Sequence, residues 1–159
     1  LMNLRIADEL APQFLNKSWL LNRTPSDCSF YISDTPIVRK NYHPPSPPMG
    51  NDGLACPGIQ IHMPLSPTIT LSFICETLVD PIREHKQTKM SPDASIPLLD
   101  SIDSGQPLLV EQETVVHLNS LQVAHANRFV FASTDDFSLV DEMLESNPEL
   151  AKPLQLVVQ

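Results

Sequence analysis

The chain has 159 residues, of which 42% are hydrophobic, and its 10 basic and 19 acidic side chains give a formal net charge of -9. This length fits one domain with a real core, whereas the acidic balance argues against broad nucleic-acid binding and adsorption to anionic membranes. No apolar run reaches the roughly 20 residues of a membrane-spanning helix, and the start has no signal-peptide pattern. We therefore expect a soluble, cytoplasmic protein without a membrane partner.

The first part of the chain predicts one helix and then short strands. Apolar residues at four-residue spacing predict a helix over residues 4–15, which Pro12 should kink or end. The prolines and glycines of residues 41–57 indicate a long proline-rich loop, because proline suits neither a helix nor a sheet ladder. Short strands are predicted at residues 19–21, 29–33 and 37–38.

Residues 59–74 show the pattern of an antiparallel hairpin. Ile59, Ile61 and Met63 alternate with Gln60 and His62, and a turn at residues 64–67 follows. In the second strand, apolar residues again alternate with polar ones, so each strand should have one polar face. The apolar residues of the second strand are Ile69, Leu71 and Phe73, and the polar ones are Thr68, Thr70 and Ser72.

The remaining chain favours helices around one central strand. Residues 80–107 indicate short helices and loops, and residues 111–128 form the clearest helix because they contain neither Pro nor Gly. The apolar run 129–132 predicts a central strand, and residues 134–136 should cap a helix that ends near Glu145. An edge strand is expected at 154–158. We predict one α+β domain over residues 1–159, with a mixed, largely antiparallel sheet flanked by helices.

Three segments in this order resemble an uncharacterised bacterial family of unknown function. Its members have a Ser-Asp-Asn-Pro-like strand end, a Pro-Leu-Ser-Pro turn, and a Leu-Asn helix followed by an Arg-Phe-Val strand. The matching stretches here are residues 30–38, residues 58–67, and residues 118–122 with 126–132. Thr35 stands where the family usually has Asn, and the family's N-terminal His-Tyr-Val-Pro-Gln motif is missing. The resemblance therefore implies the C-terminal part of a longer protein, and it implies no reaction.

The candidate site residues are polar side chains at strand ends and on the core face of the long helix. Asp34 either accepts local backbone N–H groups in a turn or serves as a catalytic carboxylate at a strand end. Asn119 and Gln122 fall inside the apolar arc of the helix, so each amide either ties down a neighbouring backbone or lines a pocket. Ser66 either stabilises the turn at residues 64–67 or provides a hydroxyl group to a functional site.

Metal and cofactor signals are weak. No two histidines have the spacing that places a ligand pair on one helical face, and we expect neither a metal nor a cofactor. The alternative, a metal held by His43, Cys56 and His62, is weaker than the interpretation of separate side chains. We expect Cys28, Cys56 and Cys75 to be reduced thiols, and none of them stands in an obviously electropositive setting.

Taken together, these features favour a binding or regulatory domain that performs no catalysis. Its expected partner is another protein or the missing N-terminal part of the same chain. The alternative is a hydrolase, with nucleic acid as a candidate substrate, that uses Asp34, His62, and Glu111 or Asn119. For Asn119 we expect a structural role, in which its amide hydrogen-bonds the backbone of residues 33–36 or 64–67 and clamps the long helix to the sheet.

Overall fold

The computed structural model describes residues 2–43, 50–87 and 95–152. Its helices are α1 (Met2–Leu15), α2 (Glu76–Gln87), α3 (Ser95–Ser104), α4 (Gln112–His125) and α5 (Ser138–Ser146), with a short 3-10 helix at Pro148–Ala151. Its strands are β1 (Lys17–Arg23), β2 (Ile32–Ser33), β3 (Val38–Asn41), β4 (Ile59–Ser66), β5 (Ile69–Cys75), β6 (Leu108–Leu109) and β7 (Val130–Phe131). In the part of the chain that is described, no helix has both the length and the apolar character to cross a membrane.

The strands confirm the predicted α+β class. Within the described residues, β3, β4, β5, β1 and β6 are hydrogen-bonded in that order into a mixed, mostly antiparallel sheet. β2 and β7 form a separate antiparallel pair, in which Ile32 lies opposite Phe131 and Ser33 opposite Val130. Residues 44–49 of the predicted proline-rich loop and the predicted strand 154–158 lie outside the described residues.

The central position predicted for residues 129–132 is wrong. Val130 and Phe131 form β7, which pairs with the two-residue strand β2, and Phe129 and Phe131 are 58% and 53% exposed. A four-residue apolar run has no period that tells a central strand from an exposed ribbon. Composition alone therefore could not place this strand.

The predicted hairpin is present as β4 and β5, but three of its predicted polar side chains are buried. His62 is buried on β4, and Thr70 and Ser72 are almost fully buried on β5. Ser72 accepts a hydrogen bond from the buried amide of Asn22 at 2.7 Å. Small hydroxyl groups can be buried when they have hydrogen-bond partners. The alternation of polar and apolar residues therefore did not predict which side chains are exposed.

Two helices differ from their predicted ends. α1 continues past Pro12 to Leu15 although Pro12 has no N–H to donate, and the Pro12 carbonyl accepts the N–H of Asn16 at 3.0 Å. α4 begins at Gln112 after Glu111 and ends at His125, because Ala126 is extended with φ -61° and ψ 136°.

The chain divides into two compact units, each with its own core. The first spans Leu1–Asn22, Arg39–Ile61 and Leu71–Leu108, and its core contains Leu20, Ile74, Val79 and Leu99. The second spans Arg23–Val38, His62–Thr70 and Leu109–Gln159. In the second unit α4 packs against α5 and β2, and its buried apolar residues include Phe30, Val38, Val115, Leu118 and Leu121.

Candidate functional site

Two buried amides on α4, those of Asn119 and Gln122, form what we call the amide clamp. Asn119 Oδ1 accepts the backbone N–H of Tyr31 at 2.8 Å, and its Nδ2 donates to the carbonyl of Ser29 at 2.9 Å. These two backbone groups lie on either side of Phe30. The Asn119 amide therefore acts as a strand partner would, supplying one acceptor and one donor to an otherwise unpaired edge.

Gln122, one helical turn further along α4, holds the following part of the same segment. Its Oε1 accepts both the backbone N–H of Ser33 at 3.0 Å and the Ser33 hydroxyl at 2.9 Å. Its Nε2 donates to the carbonyl of Pro36 at 3.0 Å. Gln122 is only 2% exposed, and these contacts give its buried polar atoms the partners that burial requires.

The hydrogen bond predicted for Asn119 is wrong, although its amide does tie α4 to a neighbouring backbone segment. Asn119 binds the backbone of residues 29 and 31, and not that of residues 33–36 or 64–67 as predicted. Gln122 binds residues 33–36. Three residues of helix advance about 4.5 Å, so two amides one turn apart reach different points on the neighbouring segment.

Asp34 closes the carboxyl end of α4. Its two carboxylate oxygens accept the backbone N–H groups of Asn127 at 2.8 Å and Arg128 at 2.9 Å, while its own N–H donates to the carbonyl of Phe129 at 3.1 Å. Desolvation raises the pKa of Asp34, but these backbone hydrogen bonds outweigh it and the net pKa is lowered. The carboxylate does serve backbone N–H groups, but they lie more than 90 positions away and not within a local turn.

The other candidates do not gather around Asp34. His62 is 4% exposed, and its burial, with a smaller contribution from the nearby His117, lowers its pKa to about 4. His117 lies about 12 Å along the α4 axis from His125. Asp34 binds just after His125, so His62, which is near His117, does not lie beside Asp34. Glu111 is exposed at the opposite end of α4, and Ser66 accepts the N–H groups of Thr68 and Ile69 within its turn.

The second unit contains a cavity of about 420 Å³, which we call the hydroxyl-lined cavity. Asn119 and Tyr31 contribute to its wall, together with the carboxylates of Asp27 and Asp136 and the amide of Gln112. Pro67 also lines it, so all three segments that carry the family resemblance contribute to one cavity. Its hydroxyl side chains are those of Ser26, Ser29, Thr68, Ser133, Thr134 and Ser138.

Titratable groups of this cavity are shifted away from neutral pH. Burial raises the pKa of Tyr31, and the charges of Asp136 and Asp141 raise it further. Burial and Asp27 raise the pKa of the Cys28 thiol. Hydrogen bonds from Ser138 lower the pKa of Asp136. None of these shifts prepares a general acid, a general base or a thiolate for work near pH 7.

The surroundings of Cys75, in the first unit, favour its thiolate form more than its neighbours in the sequence indicated. It directly precedes α2, and Thr77 Oγ1 donates to its Sγ at 3.2 Å while accepting the N–H of Gly58 at 3.0 Å. Burial raises the pKa of Cys75, but the hydrogen bonds from Thr77 and Gly58 and the positive charge of Lys17 outweigh it, and the net pKa is lowered. The hydrogen bonds account for more of this lowering of the pKa than the charge of Lys17 does, so the expectation that no cysteine has an electropositive setting is not overturned.

The sequence indicated only part of these arrangements. The sequence predicts Asp136 only as a capping residue, and Asp136 does accept the N–H of Ser138 at the start of α5. The sequence could not predict which residues line the cavity, because the lining residues are far apart in the chain. Among the described residues, no group of three His, Cys, Asp or Glu side chains is placed to hold a metal ion.

Comparisons with known proteins identify a family of unknown function. Neither the curated proteins nor the solved structures contain a match to this chain. A family model described as "Protein of unknown function (DUF4238)" matches residues 1–136 and includes all the segments on which the resemblance rested. Since the match covers most of the chain, the protein belongs to this family of unknown function.

Proposed function

We propose that this chain is a binding or regulatory domain of a bacterial cytoplasmic protein, and that it binds a small polar molecule in the hydroxyl-lined cavity. One observation carries the proposal: Tyr31, Pro67 and Asn119, one from each family-like segment, line the same cavity. A volume of about 420 Å³ lies within the usual range of small-molecule sites. Because the wall is rich in hydroxyl and amide groups, it suits a polar ligand.

Binding without catalysis agrees better with the side chains than hydrolysis does. The Asp34 carboxylate is engaged by the N–H groups of Asn127 and Arg128, and the lowered pKa of His62 reflects a buried imidazole. Tyr31, Cys28 and Asp136, which line the cavity, have pKa shifts that move them away from neutrality. The regulatory output would pass to another protein or to an N-terminal part of a longer chain, as the family resemblance implies.

The test is a ligand screen with a variant that fills the cavity. Val116 lines the cavity and is 43% exposed, so Val116→Trp should occupy the space without disturbing the core. Ala124→Trp is the matched control, since Ala124 is exposed on the same helix and is not part of the lining. Amide NMR spectra would be recorded with polar metabolites of varied charge.

We expect at least one compound to shift the resonances of Tyr31, Val115 and the Asn119 side chain. These shifts should disappear in Val116→Trp and persist in Ala124→Trp. If no compound shifts these resonances, or if the shifts survive in Val116→Trp, the proposal is overturned. Turnover of a compound that Asp34→Asn abolishes would instead favour the hydrolase.

A further inference from the structure

The two-stranded sheet of β2 and β7 has one covered face and one open face. Ser33 of β2 is buried, and Gln122 of α4 holds it from one side. Ile32 and Phe131 are the neighbouring cross-strand pair, so their side chains lie on the opposite side. Both are exposed, and so is Phe129, whose ring lies 6.2 Å from that of Phe131. α4 therefore covers one face of this sheet and leaves an apolar face open.

Leu65 of β4 extends this open face. Its side chain is 52% exposed, and it lines a groove of about 280 Å³ together with Ile32 and Phe131. No ionisable side chain belongs to the described residues that line this groove. We call the surface formed by Ile32, Leu65, Phe129 and Phe131 the aromatic face.

The area of the aromatic face is that of a small interface. A phenylalanine side chain has roughly 150–250 Å² to bury, and Phe129 and Phe131 each expose more than half of theirs. With Ile32 and Leu65 the face offers about 300–400 Å² of apolar surface, the size of the largest patch on a typical monomer. Two such faces in contact remove about 600–800 Å² from water. Since homodimer interfaces are about 65% apolar, the whole contact would bury about 900–1,200 Å², which suits a weak, reversible dimer.

The charges at the two ends of the aromatic face are complementary under a two-fold rotation. Arg128 directly precedes Phe129, Asp135 follows Phe131 by four positions, and both charged residues are exposed. Among the described residues, neither of them takes part in a salt bridge. A two-fold axis perpendicular to β7 makes two copies of this segment antiparallel, which brings each Arg128 near Asp135 of the second copy.

The net charge of the chain makes this face the favourable place for contact between two copies. Each copy carries a formal net charge of -9, so acidic surfaces of two copies repel each other. The aromatic face has no ionisable side chain of its own, and it is flanked by one charge of each sign. A second copy can therefore approach here without placing like charges together.

We infer that a second copy of this chain covers the aromatic face, in a weak two-fold dimer whose aromatic faces pack against each other. An apolar sheet face is stabilised when another layer of structure covers it. Pro67 and Ser133 line both the groove of this face and the hydroxyl-lined cavity, so the second copy would lie beside that cavity. The dimer does not depend on whether the cavity binds a ligand.

The test is sedimentation equilibrium of the full chain between about 5 and 500 μM, a range that covers the dissociation constants of small interfaces. Phe129→Thr/Phe131→Thr removes both rings and keeps residues that suit a strand. Leu15→Thr/Leu109→Thr is the matched control, because it removes two exposed apolar side chains outside the aromatic face. Circular dichroism and urea unfolding show whether each variant is folded.

We expect the average mass of the wild type to rise from that of a monomer toward twice that value over this range. The variant without the two rings should associate about tenfold more weakly or less, since buried aromatic side chains dominate interface energetics. The control variant should change the association constant by less than about twofold.

Charge reversal tests the two-fold arrangement with the rings intact. Arg128→Glu and Asp135→Arg should each weaken association by on the order of tenfold, because each change breaks two symmetric ion pairs of roughly two- to fivefold each. The combination Arg128→Glu/Asp135→Arg should restore association to within about threefold of the wild type.

Three results would overturn the inference. The first is association that persists without the two rings, which would place the interface elsewhere. The second is a combined charge reversal that does not restore association. The third is a wild type that stays monomeric at every concentration. In that case a soluble gadolinium probe that broadens the ring resonances of Phe129 and Phe131 would leave the face to a different protein, whereas sharp resonances would show that the same chain covers it.

Discussion

Asn119 Oδ1 and the backbone N–H of Tyr31 are 2.8 Å apart, although 88 positions separate the two residues in the chain. The bond is buried and is matched by the donation of Asn119 Nδ2 to Ser29. A single side chain therefore satisfies two backbone groups of an edge that has no strand beside it. Removing it would leave the buried N–H of Tyr31 and the partly buried carbonyl of Ser29 without this partner.

We expect Asn119→Ala to lower the free energy of unfolding by about 1–3 kcal/mol, the usual range for unsatisfied buried polar groups. Asn119→Asp should also destabilise, because a carboxylate cannot donate to the Ser29 carbonyl. Urea unfolding at pH 7 measures both changes. Asn127→Ala is the control, since the Asn127 side chain is exposed, and it should change stability by less than about 0.5 kcal/mol. An unchanged stability of Asn119→Ala would refute the clamp.

The burial of His62 predicts a loss of stability in acid. Its pKa is about 4 in the folded protein and 6.5 when unperturbed, so the unfolded state binds the proton first as the pH falls. Stability is fully present above pH 6.5 and is lost between pH 6.5 and about 4. The shift of about 2.5 pKa units corresponds to about 3 kcal/mol at most.

His62→Gln separates this effect from the titration of carboxylates. Urea unfolding at pH 7.0 and pH 4.5 should show that the variant loses about 2.5 kcal/mol less than the wild type between these conditions. His125→Gln, at an exposed position on α4, should keep the wild-type difference. If His62→Gln and the wild type lose equal stability, burial of a neutral imidazole is not the cause.

α4 shows which features of the candidate site could be predicted from the sequence and which could not. Its periodicity placed Asn119 and Gln122 on the core face, and that placement is correct because helical geometry is local. Their partners could not be assigned, because residues 29–36 come near α4 only through tertiary packing. The same limit applies to residues 129–132, whose apolar run predicts a central strand, whereas β7 pairs with β2 and Phe129 and Phe131 are exposed.

Cys75 should react faster with alkylating reagents near neutral pH than Cys28. The pKa of Cys75 is lowered, chiefly by the hydrogen bonds from Thr77 and Gly58 against the opposing effect of burial, whereas burial and Asp27 raise that of Cys28. Mass spectrometry of iodoacetamide labelling from pH 6 to 10 gives the midpoint for each thiol. We expect the lower midpoint for Cys75.

Thr77→Val tests the cause of the Cys75 shift. The substitution keeps the shape of the side chain and removes the hydroxyl that donates to Sγ. The labelling midpoint of Cys75 should rise, and that of Cys28, which lies in the other unit, should stay constant. A midpoint of Cys75 at or above that of Cys28 in the wild type would contradict the assigned environment.

Gly58 should tolerate a side chain less well than Gly105. Both have positive φ, +79° and +69°, but a Cβ at Gly58 would lie 2.7 Å from Asn41 Oδ1 and 1.8 Å from the ring of His43, whereas Gly105 faces open space. The exposed His43 can rotate away, but the Asn41 amide is held by the carbonyls of Asn51 and Pro57.

Gly105→Ala should therefore cost about 1–2 kcal/mol for its backbone conformation alone. Gly58→Ala should cost about 1–3 kcal/mol more, because the Asn41 network must shift. Thermal and urea unfolding of the two variants measure the difference. Equal destabilisation would show that Asn41 yields easily and that backbone conformation is the whole effect.

The separation between the amide clamp and its partners has a consequence for synthesis on the ribosome. The bonds from residues 29–36 to α4 and to the residues just after it join positions 86 to 95 apart. At roughly 5–20 residues per second, the earlier segment waits about 5–20 seconds for its partners to be made. Closing a loop of that length costs about 4 kcal/mol of chain entropy before any contact forms. Phe30 and Tyr31 thus leave the ribosome well before the helix that buries their backbone, and during this interval they are available to chaperones.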